Sequence, residues 1–254
     1  MPVSREPFIH LAGVRKLYGS HPAIQDASFD VMPGELVSLV GPSGCGKSTL
    51  LKVLAGLHPH DGGEVRIGSP SHPFDPSKDV GMVFQAPLLL KWRRILENVL
   101  LPAEILGLPM AESKSRARDL LALVGLAGNE DKYPYELSGG MQQRAAIARA
   151  LVHDPKLVLM DEPFGALDPQ TRWGMQSLLL DVSRTEDNTI LFVTHDVSEA
   201  VYLADSIYVL APRPTKILHR IDVPFFENRD IALKSSTEFR NVEKKLLDLL
   251  YTAA

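Results

Sequence analysis

A nine-residue run decides most of what this chain can fold into: Gly41, Pro42, Ser43, Gly44, Cys45, Gly46, Lys47, Ser48 and Thr49. It fits the pattern GxxxxGK[ST] at every fixed position. The apolar run from Glu35 to Val40 precedes it, and a helix-like run from Thr49 to Ala55 follows. Strand, glycine loop and helix in that order read as a phosphate loop. Glycines let successive backbone N–H groups curve around an anion. The helix start adds unpaired donors and a favourable dipole. Lys47 can reach the outer phosphates, and Ser48 can ligate magnesium. The competing reading is an ordinary glycine-rich turn before a helix. The flanking strand and helix favour a nucleoside triphosphate site.

Bulk composition allows a substantial core in one or two domains: 45% of the 254 residues are hydrophobic and 23% charged. The formal net charge of -4 offers no broadly basic surface, so no nucleic-acid partner is expected. Cys45 is the only cysteine, so no disulfide can form within the chain, which fits a reducing compartment. In a loop of small residues it reads as a space-filler rather than a redox sensor. Met1 to His10 has no apolar core of signal-peptide type, and no apolar run reaches about 18 residues. No membrane span is expected, which leaves docking onto a membrane protein open.

Phe8 to Tyr18, Ala27 to Val31, Glu64 to Ile67 and Val80 to Phe84 read as strands, with a Pro/Ser/Asp-rich loop from Ser69 to Asp79. Ile95 to Leu108 and Lys114 to Val124 read as helices inside a helical insert of residues 87–155. Leu157 to Met160 and Thr189 to Val193 are β-rich runs followed by polar residues and then helix. That is the pattern of a parallel α/β sheet with functional loops at strand ends. Ser206 to Ala211 restarts as strand before a Pro-rich turn. Leu233, Phe239, Val242, Leu246, Leu249 and Leu250 recur at helical spacing. They predict a final amphipathic helix that packs on its own domain, with a partner or a membrane surface as the alternative.

The run Leu157–Pro163 ends in two carboxylates. At the end of a buried strand, Asp161 can hold magnesium, and Glu162 can orient or deprotonate an attacking water. His195 follows the strand 189–193. A lone histidine is usually structural, but here it can donate to a γ-phosphate. Gln85 follows the strand 80–84 in the same way, and its amide can bond a magnesium-bound water and backbone. Its local sequence supports a structural role equally well. Leu137 to Arg144 is a second glycine turn into a helix, with Ser138 as N-cap before Gly139 and Gly140. It is either an ordinary cap or a second anion-binding face. Two such faces invite a nucleotide between two subunits.

Taken together, these motifs resemble the ATP-hydrolysing subunits of ATP-binding-cassette (ABC) importers, in the nitrate, sulfonate and taurine branch, over residues 8–225. The resemblance implies a P-loop NTPase α/β fold with an N-terminal antiparallel β subdomain and an inserted α-helical subdomain. It divides the chain into a RecA-like core (8–86 and 156–225), a helical signature subdomain (87–155) and a C-terminal tail (226–254). The family's signature matches Leu137 to Gln143, its glutamine loop Gln85, its switch histidine His195, and its magnesium and catalytic carboxylates Asp161 and Glu162. Gly165 to Asp168 matches the loop that bridges two subunits, and Tyr18 takes the place of the aromatic that stacks on adenine.

The implied cofactors are ATP and magnesium. The implied partners are a second copy of the subunit, a transmembrane permease and an extracytoplasmic solute-binding protein, with this chain peripheral on the cytoplasmic face of the membrane. Each ATP would lie between the phosphate loop of one copy and Ser138, Gly139 and Gly140 of the other. Pro87 to Trp92 read equally well as core of the helical insert; the resemblance implies that part of the stretch would form a groove for a short helix of the permease. Lys91 stands where related importers commonly have proline, which bears on the local turn and the partner match.

A cassette ATPase acting on ribosomes or DNA breaks would carry two cassettes or a long coiled-coil insert, and neither is present. A non-catalytic module would lack Glu162 or Lys47. An exporter subunit fits the importer-like motifs less well. Nitrate, taurine, alkanesulfonates, aromatic carboxylates and pyrimidine-type precursors are not separated by these residues.

Overall fold

The computed structural model describes residues 6–69, 72–165, 167–185, 188–224 and 229–252. Ala166, part of the expected bridging loop, lies outside the described residues, as do Pro70 and Ser71 of the expected 69–79 loop and the boundary at 225/226. The chain forms two compact units, residues 1–74 with 189–254, and residues 75–188.

The first unit is built on strands β1 (Ile9–Tyr18), β2 (His21–Val31), β3 (Leu36–Val40), β4 (Gly62–Ser69), β5 (His72–Pro73), β8 (Thr189–Thr194), β9 (Ser206–Leu210) and β10 (Thr215–Asp222). They lie in the order β5-β4-β1-β2-β10-β9-β3-β8. The N-terminal strands β1, β2, β4 and β5 pair antiparallel. β1 alternates buried and more exposed residues, as a half-covered sheet requires. β3 pairs parallel with both β8 and β9. All three are buried at every position, the mark of a parallel sheet covered on both faces. Helices α1 (Lys47–Leu54), α7 (Val197–Leu203) and α8 (Thr237–Thr252) complete this unit.

The second unit holds the parallel pair β6 (Val80–Val83) and β7 (Leu157–Asp161). Its helices are α2 (Pro76–Asp79), α3 (Ile95–Ile105), α4 (Met110–Leu123), α5 (Gly139–Leu151) and α6 (Pro169–Thr185). α5 packs on α3, α4, α6 and β6. Ala145, Ala146, Ala148 and Ala150 are buried along it, so small side chains let its neighbours approach closely.

Several boundaries differ from the sequence reading. β2 begins at His21 rather than Ala27, because it pairs with β1 down to the Tyr18–His21 turn. The 69–79 loop contains β5 and the one-turn α2, capped by Asp75. α3 stops at Ile105 rather than Leu108, and Gly107 beyond it takes a left-handed φ of 66°. α4 starts at Met110, not Lys114. Strand β10 was not expected at all. Leu233 falls in a 3-10 turn (Ile231–Ser235) before α8. Phe239 and Leu246 are the buried positions of α8, which packs on α7 and β9 of its own unit as expected. Among the described residues no helix is long and apolar enough to cross a membrane.

Candidate functional site

The first unit supplies the phosphate loop. β3 runs through the sheet and delivers Gly41 at its end; α1 begins at Lys47 with Gly46 as N-cap. Gly46 sits at φ 115°, which an L side chain rarely adopts. A Cβ there would also collide with Thr215 Oγ1 and lie 2.9 Å from the carbonyl oxygen of Ala23. The backbone therefore approaches Thr215 and Ala23 too closely for any side chain at this position. Lys47 is 5% exposed, and its ammonium donates to the carbonyls of Gly41 (2.8 Å) and Pro42 (2.9 Å). Pro42, Ser43, Gly44 and Cys45 close the turn, with Cys45 N–H donating to the Pro42 carbonyl at 3.3 Å. Cys45 is buried, and burial pushes its thiol pKa up, so it is a poor nucleophile. Ser48 and Thr49 lie in the first turn of α1, Ser48 exposed.

The register of β3 and β8 pairs Val40 with Thr194. The next residues, Gly41 and His195, therefore leave the same end of the sheet on neighbouring strands. His195 is exposed there. Asp196 beyond it caps α7 by accepting from Glu199 N–H at 3.1 Å. Tyr18 ends β1 and is 45% exposed. Its ring meets His58 edge-on at 6.2 Å, and Lys16 Nζ lies 5.9 Å from its centre.

The second unit supplies the carboxylates. Val83 pairs with Met160, so Gln85 and the Asp161–Glu162 pair emerge from the same end of the β6–β7 pair. Gln85 Nε2 donates to Glu162 Oε2 at 3.4 Å. Glu162 holds a left-handed φ of 45°, a strained backbone for a non-glycine residue. Gly165 packs beside both: a Cβ on it would lie 3.7 Å from Glu162 Oε2 and 3.9 Å from Gln85 Nε2.

Ser138 caps α5 by accepting from Met141 N–H at 3.3 Å. Ser138 and Gly139 are exposed, and a Cβ on Gly139 would meet open space. Gly140 packs so tightly on Thr171 that a Cβ would strike Thr171 Cγ2. Thr171 N–H in turn donates to Asp168 Oδ1 at 3.1 Å. One residue thus ties the signature turn to Asp168. Hydrogen bonds from Thr171 hold the Asp168 carboxyl below its usual pKa, so it stays ionised at neutral pH.

A groove of about 360 Å³ opens in this unit between β6, α3 and α5, with Val80, Met82, Leu88, Leu101, Ile105 and His153 among its walls. Leu88, from the stretch expected to meet a partner, lines it; Trp92 is 75% exposed. The turn between them is held from within. Asn98, fully buried, donates to the carbonyls of Leu90, Arg93 and Arg94 and accepts from Leu90 N–H. Lys91 is exposed on that turn.

Three further contributors were given no role by the sequence, and two of them, Thr215 and Arg149, lie outside every motif. Thr215, fully buried, donates its hydroxyl to the Cys45 carbonyl and underpins the phosphate loop. Gln143 and Arg149 bond the backbone around Gln85. Gln143 stands between Gln142 and Arg144, ahead of the alanines of α5, so its polarity alone does not mark it as buried.

The family model described as ABC transporter matches residues 24–165. An uncharacterized ABC transporter ATP-binding protein of Methanocaldococcus jannaschii is 45% identical over 229 residues, 90% of this chain and 84% of that protein. The taurine import ATP-binding protein TauB of Yersinia pestis bv. Antiqua is 41% identical over 236 residues, 91% of this chain and 92% of that protein. Among solved structures, the dimeric bacterial ABC transporter cassette MJ0796 is similar with a TM-score of 0.73 and 32% identity, over 85% of this chain and 98% of that one.

Proposed function

The chain belongs to the ABC transporter family as an ATP-binding, ATP-hydrolysing subunit, and from that premise we propose that it drives import of a small polar solute of the taurine, sulfonate or nitrate kind through a separate transmembrane permease. The observation that carries this reading is the 41% identity to a taurine import ATPase along 91% of the chain. The subunit acts as a pair with a second copy, peripheral on the cytoplasmic face of the membrane, with a solute-binding protein on the other side. Residues 8–86 and 156–225 form the catalytic core, 87–155 the signature subdomain and 226–254 the tail. The groove lined by Leu88 receives a short helix of the permease.

The residue roles follow from their chemistry. Backbone N–H groups from Gly41 to Thr49 cradle the phosphates, and Tyr18 stacks on the adenine. Lys47 exchanges its two carbonyl partners for phosphate oxygens, a stronger charge-assisted contact. Glu162 orients the attacking water and takes its proton, while the Gln85 amide holds that carboxylate in place. His195 donates to the γ-phosphate as charge builds there. Ser138, Gly139 and Gly140 of the second copy close over the nucleotide, and Asp168 steadies that contact.

The side chains that would hold magnesium all present oxygen: the Ser48 hydroxyl in the first unit, and the Asp161 carboxylate and the Gln85 amide oxygen in the second. That fits an ion that takes one or two carboxylates and fills its shell with phosphate and water. Held by those residues, the ion would supply neutralisation of charge on the phosphates.

The test is ADP formation by the purified chain and by Glu162→Gln. The wild type turns over ATP, and Glu162→Gln binds ATP as tightly but loses about 100-fold or more in kcat. Near-normal turnover by Glu162→Gln would move the base elsewhere.

A further inference from the structure

Gln85 and Ala86 are exposed, so packing does little to fix the segment that carries the amide. The Gln85–Glu162 contact at 3.4 Å is near the limit of a hydrogen bond, and a small backbone shift would lose it. The backbone on both sides of Gln85 is nevertheless held, and held by one helix. Gln143, 2% exposed, donates its Nε2 to the Phe84 carbonyl at 3.2 Å. Arg149 donates Nη1 to the Leu88 carbonyl and Nη2 to the Pro87 carbonyl, each at 2.8 Å. Leu88 stands at a left-handed φ of 47°, a conformation that persists only where neighbours impose it. Both clamping residues lie on α5, six positions or about 9 Å apart along its axis. The same helix begins at the Ser138 cap.

We propose that Gln143 and Arg149 are positioning residues for Gln85. They fasten the glutamine loop to the signature helix on either side of the amide, and so set its contact with Glu162. The proposal rests on the roles given above to Gln85 and Glu162. It also gives the groove a route to the chemistry: Leu88 lines the groove and its carbonyl is one of the clamped groups. A helix seated there bears directly on the clamp.

The experiment is steady-state ATP hydrolysis by the full chain as Gln143→Leu, Arg149→Met, Arg149→Lys, Gln85→Ala and the double variant Gln85→Ala/Gln143→Leu. Gln143→Leu and Arg149→Met each lower kcat roughly 10- to 100-fold with KM for ATP retained, the signature of a displaced group rather than lost binding. Arg149→Lys keeps a charged donor and recovers most of the rate. In the Gln85→Ala background, Gln143→Leu costs nothing further, because the residue it positions is gone. A merely structural role gives losses that multiply in that background, or a rise in KM with a lower melting temperature, and either result overturns the proposal. Should Gln143→Leu fail to fold, the cycle of Arg149→Met with Gln85→Ala asks the same question. A Gln85→Ala protein with wild-type kcat overturns the site reading itself. Reduced kcat in Gln85→Ala with multiplying losses overturns the clamp alone.

Discussion

The phosphate loop and the signature turn are both glycine turns opening a helix, and they are built in opposite ways. At the phosphate loop the space behind the backbone is filled. Thr215 and Ala23 press on Gly46, and the Lys47 ammonium is buried against the loop's own carbonyls. At the signature turn the Ser138 hydroxyl caps the helix, while Ser138 and Gly139 face open space. The first turn is packed from behind; the second is open to solvent. The proposal that a nucleotide is held by the first and closed over by the second of another copy accounts for both.

The contrast breaks most visibly at Lys47. Lys47→Ala removes a charge-assisted contact and weakens ATP binding by roughly 10- to 100-fold, read by equilibrium titration. Unchanged affinity would mean that the cradle's amides do the binding alone. Ser138→Arg should do the reverse. It spares ATP binding by the single subunit but blocks pairing of two copies, read by sedimentation with ATP. Equal loss of both would make the signature turn a folding element instead.

Thr215→Val sharpens the claim that the cradle is braced from behind. It leaves the buried Cys45 carbonyl without its hydroxyl donor, at a cost of about 1 to 3 kcal/mol in stability. Thr215→Ser restores most of it, and chemical denaturation measures both.

The smallest effect expected is on pH dependence. His153 Nε2 donates to the Val80 carbonyl at 3.1 Å, its Nδ1 is buried without a partner, and burial pushes its pKa below the usual 6.5. Above that value the ring is neutral in both folded and unfolded chains and contributes no slope. As pH falls through 6.5, the unfolded chain takes up a proton that the folded one resists. This contribution to stability is therefore lost on acidification, until the folded pKa is passed. His153→Phe should flatten stability between pH 6.5 and the folded pKa; an unchanged slope would assign it to other groups.

Local chemistry made much of this molecule legible. The phosphate loop, the buried strands around it and the carboxylate pair each announce themselves within a dozen residues, because their function demands fixed residue types at fixed spacing. What was not legible depends on distant neighbours. β10 buries only Thr215 and Ile221 completely along its length, too weak a pattern to read, and exists because β9 and β2 pair with it. The bonds of Thr215, Gln143 and Arg149 reach backbone that is remote in sequence. No spacing rule connects them. The apolar run of α3 continues to Leu108, three residues past the end of the helix and beyond the glycine that follows it, so apolar spacing alone overstates its length.

The central claim is that one copy's cradle is completed by another copy's signature turn. Its most direct test is the mass of Glu162→Gln in solution by light scattering, with ATP and without. Slow hydrolysis keeps the nucleotide intact, so the account predicts a monomer without ATP and a dimer with it. A protein that binds ATP to saturation and still scatters as a monomer would contradict the shared site.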